Sequence, residues 1–527
     1  MEKTWLKYYD PGVPPTIEYP GYPLFSMLEQ AARASGDLTA LVYRGGSLRY
    51  ASLLEQTERF AAALHDLGLA QGDRIAIQLP TCPQFVIAYY AAIKLGAVAV
   101  PLNPLLVARE MVYYLNDSKA ALLITAEDSY SYVKQYQDKT GVKSVIASSL
   151  EHPGGTAGRL LGRPKNRGTI VTGEHSDHRM EKLLLTRPHP PRVTPRAADP
   201  AVIMYSAGSS GKPMGAVLTH GNLVANVIQC RCWNPSLKDN GGETVLVALP
   251  LSHSYGMTIG MNLGLAVAGR LVLVSRFDTM EILNLIEKSG VTYFPGVPAM
   301  FEAILKSPDL RKYNLRSIKT CLSGGAPLPL AMQQSFEQVT GGKLIEGYGL
   351  AEASPVTHSN PYLGKRRAGS IGLPLPDTEI KVVDLHREEL TLPAGAVGEL
   401  CIKGPQVMQG YINAPEETAA VLKNGWLHTG DIVRVEEDGF TYIVDRKKDL
   451  IISDGYNVYP AEVQAVLLAH PLISEARVSA RRDPYKGESL HAVVAPVPHA
   501  ALSEAEVLRY CRENLAAYKL PKQIEVL

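Results

Sequence analysis

Between Ala51 and Thr125 the apolar residues change period repeatedly, and this alternation limits the possible folds more than any other feature of the chain. Leu53, Leu54, Phe60, Ala61, Leu64 and Leu67 recur at helical spacing. Arg74–Leu79 then reads as a strand, Pro83–Leu95 as a helix, Val98–Leu102 as a strand, Val107–Leu115 as a helix and Ala121–Thr125 as a strand. Strands alternating with helices predict parallel sheets covered by helices, because each parallel crossover needs a helix on the sheet face. Further strands are expected at Thr244–Leu249, Leu271–Val274, Val291–Phe294 and Ser317–Cys321. Most of Lys139–Pro200, rich in Gly, Pro, Arg and His, is expected to be a variable surface connection. Strands and turns dominate Thr378–Lys403. After Lys448 the pattern predicts a compact α+β unit, with helices at Pro460–Leu468 and Ser503–Leu515 and strands at Glu475–Ala480 and His491–Val497.

A chain of 527 residues is too long for one core, so two or more domains are expected. Lys plus Arg is 53 and Asp plus Glu is 52, a net charge of +1. Such a balance argues against a nucleic-acid or membrane-surface partner. The longest mainly apolar run, Met261–Val274, contains Asn262 and Arg270 and is too short to span a bilayer. The chain begins without a signal-peptide pattern, and its six scattered cysteines suit buried free thiols in a reducing, cytoplasmic compartment.

The chemistry announces itself at Met204–Asn222. An apolar run leads into Ser206-Ala207-Gly208-Ser209-Ser210-Gly211-Lys212-Pro213-Met214-Gly215. Hydroxyls, glycines and exposed N–H groups in such a loop form a cradle for phosphate. It is no Walker loop: Pro213 stands where the magnesium-binding hydroxyl belongs, and Ser206 where the first Gly belongs. It also lacks the dinucleotide fingerprint.

Other segments of the same character follow in order. They are Leu249-Pro250-Leu251-Ser252-His253-Ser254-Tyr255-Gly256, Ser323-Gly324-Gly325-Ala326-Pro327, Glu346-Gly347-Tyr348-Gly349-Leu350-Ala351-Glu352, Trp426-Leu427-His428-Thr429-Gly430-Asp431 and Tyr442-Ile443-Val444-Asp445-Arg446-Lys447-Lys448-Asp449. Singly, each reads as a turn, a core aromatic or a surface acid. Together, from about Phe25 to Leu527, they resemble the adenylate-forming enzymes: acyl-CoA synthetases, firefly luciferase and the adenylation domains of peptide synthetases.

The resemblance implies an α/β fold. Its large N-terminal domain (1–445) has parallel-rich sheets covered by helices and a distorted β-barrel subdomain. A hinge and a small α+β C-terminal lid (446–527) follow. It also implies two half-reactions: attack of a carboxylate on ATP to give acyl-AMP and pyrophosphate, then, after lid rotation, transfer to coenzyme A. By motif, Ser206, Gly208, Ser209, Ser210, Gly211 and Lys212 resemble the phosphate loop. Gly324, Gly325, Ala326 and Pro327 resemble the adenine turn. Tyr348, between Gly347 and Gly349, resembles the aromatic stacked on adenine. Glu352 resembles the Mg²⁺ carboxylate, Asp431 the ribose acid and Arg446 a ribose or phosphate contact. His253 is similar to the residue at the acyl-pocket mouth, Lys448 to the hinge residue, and Gly455 to the glycine beside the pantetheine channel. ATP, Mg²⁺ and coenzyme A are the implied cofactors and co-substrates. A peripheral membrane contact and a homodimer are compatible with the family.

Three departures stand out. Met214 occupies the place of a loop Lys, with Lys212 two residues earlier as a partial substitute. Ala351 replaces a Thr, which removes one phosphate hydrogen bond. The family's terminal Leu-Pro-Lys-x-x-x-Gly-Lys segment would begin just beyond Leu527, so the expectation is a sequence cut before the catalytic lid lysine; the alternative is an enzyme without it. The presumptive pocket segments, Val202–Tyr205, His253–Gly260, Tyr293–Met300 and Ser323–Ala326, hold no charged residue with His counted as neutral. That argues against amino-acid substrates. Asn103-Pro104-Leu105-Leu106, Phe294-Pro295-Gly296-Val297-Pro298 and Ser453-Asp454-Gly455-Tyr456-Asn457-Val458-Tyr459-Pro460 most resemble fatty-acyl-CoA synthetases, and this resemblance makes a medium- or long-chain fatty acid the leading substrate. The alternatives are an aryl-CoA ligase, an acyl-AMP ligase serving a carrier protein, and a catalytically impaired nucleotide-binding relative.

Overall fold

The helix expected at Ala51–Leu67 forms as Tyr50–Asp66, and the next five expected elements form within a few residues of their expected bounds. The computed structural model describes residues 3–150, 177–188, 194–206, 212–238, 241–446, 451–453, 456–458, 460–483, 487–498 and 500–527. Among these residues the chain builds four sheets. In the eight-stranded sheet, strands Pro200–Ser206, Val98–Pro101, Arg74–Gln78, Leu122–Ala126, Ser144–Ser148 and His178–Arg179 run parallel in that spatial order. The nine-stranded sheet has a parallel centre made of Thr39–Tyr43, Arg270–Leu273, Thr244–Val247, Tyr293–Gly296, Thr320–Ser323 and Lys343–Gly349.

Helix Pro83–Lys94 explains how the two large sheets share one core. Its residues from Pro83 to Ile93 are all buried, so it has no solvent face and must be enclosed. It packs in one apolar cluster with Ile75 and Leu122 of the first sheet and Val245 and Leu271 of the second. The antiparallel strands Glu379–Val383, Val397–Lys403, Trp426–Val435 and Thr441–Arg446 form most of the five-stranded unit that was expected as a distorted barrel. The C-terminal unit carries its own core, with Val463, Leu467, Val478, Ala492, Val494, Val507 and Cys511 buried together.

Three expectations change, the simplest being the strand expected at Ser317–Cys321, which forms as Thr320–Ser323. Ser144–Ser148 is a strand paired in parallel with Leu122–Ala126, with Val145 and Ile146 buried, and not part of a surface connection. Its apolar run is too short to show a period of its own. The strand expected at Val291–Phe294 begins at Tyr293. The N–H of Val291 instead bonds Ile286 O and closes helix Thr279–Ser289, with Gly290 left-handed at φ +60°. All six cysteines are free, and no described helix is long and apolar enough to cross a membrane.

Candidate active site

The phosphate-type loop joins two antiparallel strands, Pro200–Ser206 and Met214–Thr219, with Ser206 opposite Met214. It is a hairpin tip, which explains why the strand-to-helix phosphate motifs fail to match. Ile203 and Ile412 crowd Gly215, where a Cβ would lie 2.7 Å from each side chain. Met214 is buried, whereas Lys212 is exposed beside the tip. Gly208, Ser209, Ser210 and Gly211 lie outside the described residues, as do Lys448 and Gly455.

The segment Lys343–Ala353 gathers the other groups. Its strand ends beside the end of Thr320–Ser323, so the Gly324–Pro327 turn adjoins Gly347 and Tyr348. Gly324 is buried against the ring of Tyr255, whose hydroxyl donates to Leu322 O at 2.7 Å. Gly325 turns the chain at φ +79°, Ala326 is half-buried and Pro327 is exposed. The Tyr348 hydroxyl donates to Asp431 Oδ2, and the Tyr348 ring meets His358 edge-on at 5.8 Å. The adenine-type aromatic and the ribose-type acid are thus joined directly. Gly349 leaves no room for a side chain, since a Cβ would fall 2.1 Å from Pro355 O.

After this strand the chain makes one short turn, Ala351–Ala353, that buries Glu352. Glu352 Oε1 accepts from Ser206 Oγ at 2.6 Å and from Tyr411 Oη at 2.9 Å. Tyr411 is brought there because Gly410–Tyr411 pairs with Val217 and Ala216 beyond the hairpin tip. The Met408 N–H also holds Glu352 O at 2.8 Å. Ala351 is half-buried and offers no hydroxyl.

Asp431 is fixed from behind. The N–H of Asp431 bonds Thr429 Oγ1 at 3.1 Å, and Thr429 Oγ1 donates to Leu400 O at 2.8 Å. Glu399 accepts from Gly430 N at 3.0 Å and lies 3.3 Å from His428 Nδ1. Arg446 stands opposite Asp431 across the antiparallel strand pair.

His253 presents accessible surface yet is densely surrounded by protein atoms, as befits a side chain on a cleft wall. Desolvation holds its imidazole below the usual histidine range. Its Nδ1 accepts from the Tyr255 N–H at 3.2 Å, which places the proton of the neutral ring on Nε2. Behind it Gly256 lies 2.3 Å, measured from an added Cβ, from Pro250 O. A π-helical stretch, Gly256–Asn262, follows with every residue buried. Val202, Met204, Met257, Ile259 and Tyr293, from the expected pocket segments, are buried together in one apolar cluster, whereas Phe294 packs on the other face of its strand with Phe301 and Phe336.

Sequence reasoning missed three positions of consequence. Tyr411 gives no local signal, because its role comes from pairing with a hairpin almost two hundred residues earlier. Glu399 gives no local signal either, because it reaches His428 and Gly430 only through the pairing of its strand with Trp426–Val435. Glu346, two residues before Tyr348, is buried and accepts the Leu328 N–H at 3.0 Å. Desolvation pushes its carboxyl up to about 7.

Comparisons with known proteins agree with this geometry. Residues 28–412 match the AMP-binding enzyme family and residues 462–527 match the AMP-binding enzyme C-terminal domain. A long-chain-fatty-acid–CoA ligase of Bacillus subtilis strain 168 is 40% identical, over 99% of this chain and 94% of its own length. One from Escherichia coli O6:H1 is 34% identical over 100% of this chain and 95% of its own. Among solved structures, a double mutant of the o-succinylbenzoate CoA synthetase of Bacillus subtilis, bound with its product analogue, superposes with a TM-score of 0.81 at 29% identity. That match covers 96% of this chain and 95% of the other. With family matches over both its large and its small C-terminal domain and a relative 40% identical over nearly its whole length, the chain belongs to the AMP-binding enzymes, the adenylate-forming family.

Proposed function

We propose that the protein is an ATP-dependent acid–thiol ligase. It joins a medium- or long-chain fatty acid to the α-phosphate of ATP, releases pyrophosphate, and passes the acyl group from acyl-AMP to coenzyme A. The observation that carries this reading is the Glu352 carboxylate, held by Ser206 and Tyr411 at the root of the phosphate hairpin, with Tyr348 and Asp431 linked nearby. The names of the relatives above support the long aliphatic substrate, as does the uncharged, apolar lining.

In this reading Tyr348 and the Gly324–Pro327 turn hold adenine, and Asp431 with Arg446 takes the ribose. Asp431 can accept from two hydroxyls at once. Ser206, Gly208, Ser209, Ser210, Gly211 and Lys212 surround the departing pyrophosphate. Displacement at phosphorus is governed by charge neutralisation and in-line placement, so no protein nucleophile is required. Both hydroxyls converge on Oε1 of Glu352, leaving Oε2 as a hard oxygen donor that suits Mg²⁺. When bound there, Mg²⁺ would neutralise phosphate charge. Neutral His253 at the pocket mouth adds no charge to the apolar channel. We place the hinge at Lys448, between a large domain of 1–445 and a lid of 446–527, and the pantetheine passage at Gly455. Cytoplasmic ATP and coenzyme A supply the reaction.

The test uses the full-length chain, ATP, Mg²⁺, coenzyme A and acids of graded length and aromaticity. Acid-dependent pyrophosphate exchange and acyl-CoA formation, best with long aliphatic acids, are expected. Exchange without acyl-CoA would transfer the function to a carrier-protein ligase. ATP binding with neither product would reduce the protein to a nucleotide-binding relative, and a preference for aryl acids would overturn the substrate assignment.

A further inference from the structure

Lys519 is 3% exposed, which is rare for a lysine, and it lies where the C-terminal unit meets the large domain. Its Nζ lies 2.6 Å from Glu110 Oε1, on helix Ala108–Asp117 of the large domain. It also lies 2.7 Å from Glu462 Oε1, on helix Pro460–Leu468 of the lid. Glu110 is itself 7% exposed, and its other oxygen caps its own helix by accepting the Val107 N–H at 3.2 Å. The receiving carboxylate is therefore fixed before the lid docks. Glu462 Oε2 has no hydrogen-bond partner among the described residues, so this acid depends on Lys519 for its compensation. Burial works to strip the proton from Lys519; the carboxylates of Glu462 and Glu110 outweigh it and keep the ammonium charged.

The position of Lys519 on the lid matters as much as its partners. The preceding residue, Tyr518, stacks on Tyr456 at 4.2 Å between ring centroids. Tyr456 directly follows Gly455 in the chain. The contact with Glu110 is therefore made by the face of the lid that carries Tyr456, the residue next in sequence to the glycine assigned above to the pantetheine passage. Rotating that face away breaks the pair between Lys519 and Glu110. Removing one partner by mutation while the lid is docked leaves an uncompensated buried charge and is strongly penalised.

We propose that Glu110, Lys519 and Glu462 form a latch that holds the lid in the orientation serving thioester formation. The three are positioning residues and touch neither substrate nor reacting atoms. The proposal rests on the two-step ligase reading above. It extends that reading by naming what fixes one of the two lid orientations in this chain.

The experiment compares full-length wild type with Glu110→Gln, Lys519→Met and the triple exchange Glu110→Lys, Lys519→Glu and Glu462→Lys, which reverses every charge of the cluster. Two half-reactions are measured separately: ATP–pyrophosphate exchange, and single-turnover transfer from preformed acyl-AMP to coenzyme A. Each single variant is expected to slow transfer by at least about tenfold, while exchange stays within about twofold. The triple exchange is expected to recover much of the transfer rate, which a merely destabilised lid would not do. Equal loss of both half-reactions, no loss of either, or a triple exchange no better than the singles overturns the latch. A second readout is independent of activity. Fluorescent labels on exposed Glu513 of the lid and Lys365 of the large domain report the distance between them. Glu110→Gln is expected to broaden a narrow distance distribution, and an unchanged distribution overturns the latch. A wild type that makes no acyl-adenylate would sink the ligase reading, and the label distances would still decide the latch.

Discussion

Tyr411 shows how a single hydroxyl can tune a distant carboxylate. It shares Glu352 Oε1 with Ser206, so removing it leaves one donor to orient a nearly buried acid. A hydrogen bond to a charged group contributes about 1.5–3 kcal/mol, which corresponds to roughly ten- to a hundredfold in rate. Tyr411→Phe should therefore lower ATP–pyrophosphate exchange by at least about tenfold and raise the apparent KM for Mg²⁺. Unaltered Mg²⁺ dependence would separate Tyr411 from the metal site. Glu346 makes a different prediction, about stability. Its carboxyl titrates near 7 in the folded chain against an ordinary value of 4.5, because burial disfavours the charge. Between those two values the folded state keeps a proton that the unfolded state has lost. This contribution is complete below 4.5 and is lost as pH rises through about 7. The loss is on the order of 3 kcal/mol. Glu346→Gln, which cannot ionise, should raise Tm relative to wild type at pH 8 and much less at pH 5, by differential scanning calorimetry. An equal shift at both values would contradict the assignment.

At the scale of elements, the strand Lys343–Gly349 and the turn after it organise the site. One end of this segment sets Tyr348 against Asp431, and the other sets Glu352 against Ser206 and Tyr411. Gly349 lies between them with Pro355 O in the space of a Cβ. Gly349→Ala forces the backbone apart and should cost about 1–3 kcal/mol of stability, with ATP affinity falling alongside. Urea unfolding and nucleotide titration check both, and an unstrained, fully active variant would show that the segment is not rigid. The same elements show what was legible in the sequence. The alternation of periods located the first parallel strands because their short apolar runs stand between longer segments of helical length. The ordered motifs singled out Glu352, Tyr348 and Asp431, since each stands in a segment of distinctive small residues, two of them in strands and one in a short turn. Tyr411, Glu399 and Glu346 escaped, because their roles depend on strand pairings and burial that no local pattern encodes. The strand Ser144–Ser148 escaped for a simpler reason: five residues inside a Gly- and Pro-rich stretch carry no period.

At the scale of the molecule, two separately cored units meet, and the proposed hinge between them lets one site run two reactions. Lys448→Pro would fix the backbone at that hinge. It should depress acyl transfer to coenzyme A well below its effect on adenylation, by at least about tenfold. Rapid-quench measurement of each half-reaction checks this, and equal loss in both would move the hinge elsewhere. The central claim concerns the bond that ATP loses. The full-length protein is incubated with α-labelled ATP, Mg²⁺, a long-chain fatty acid and coenzyme A, and the labelled nucleotide is resolved from the acyl product. The account predicts labelled acyl-AMP when coenzyme A is withheld, and labelled AMP equal in amount to acyl-CoA when it is supplied. Labelled ADP, or acyl-CoA formed without AMP, would contradict it.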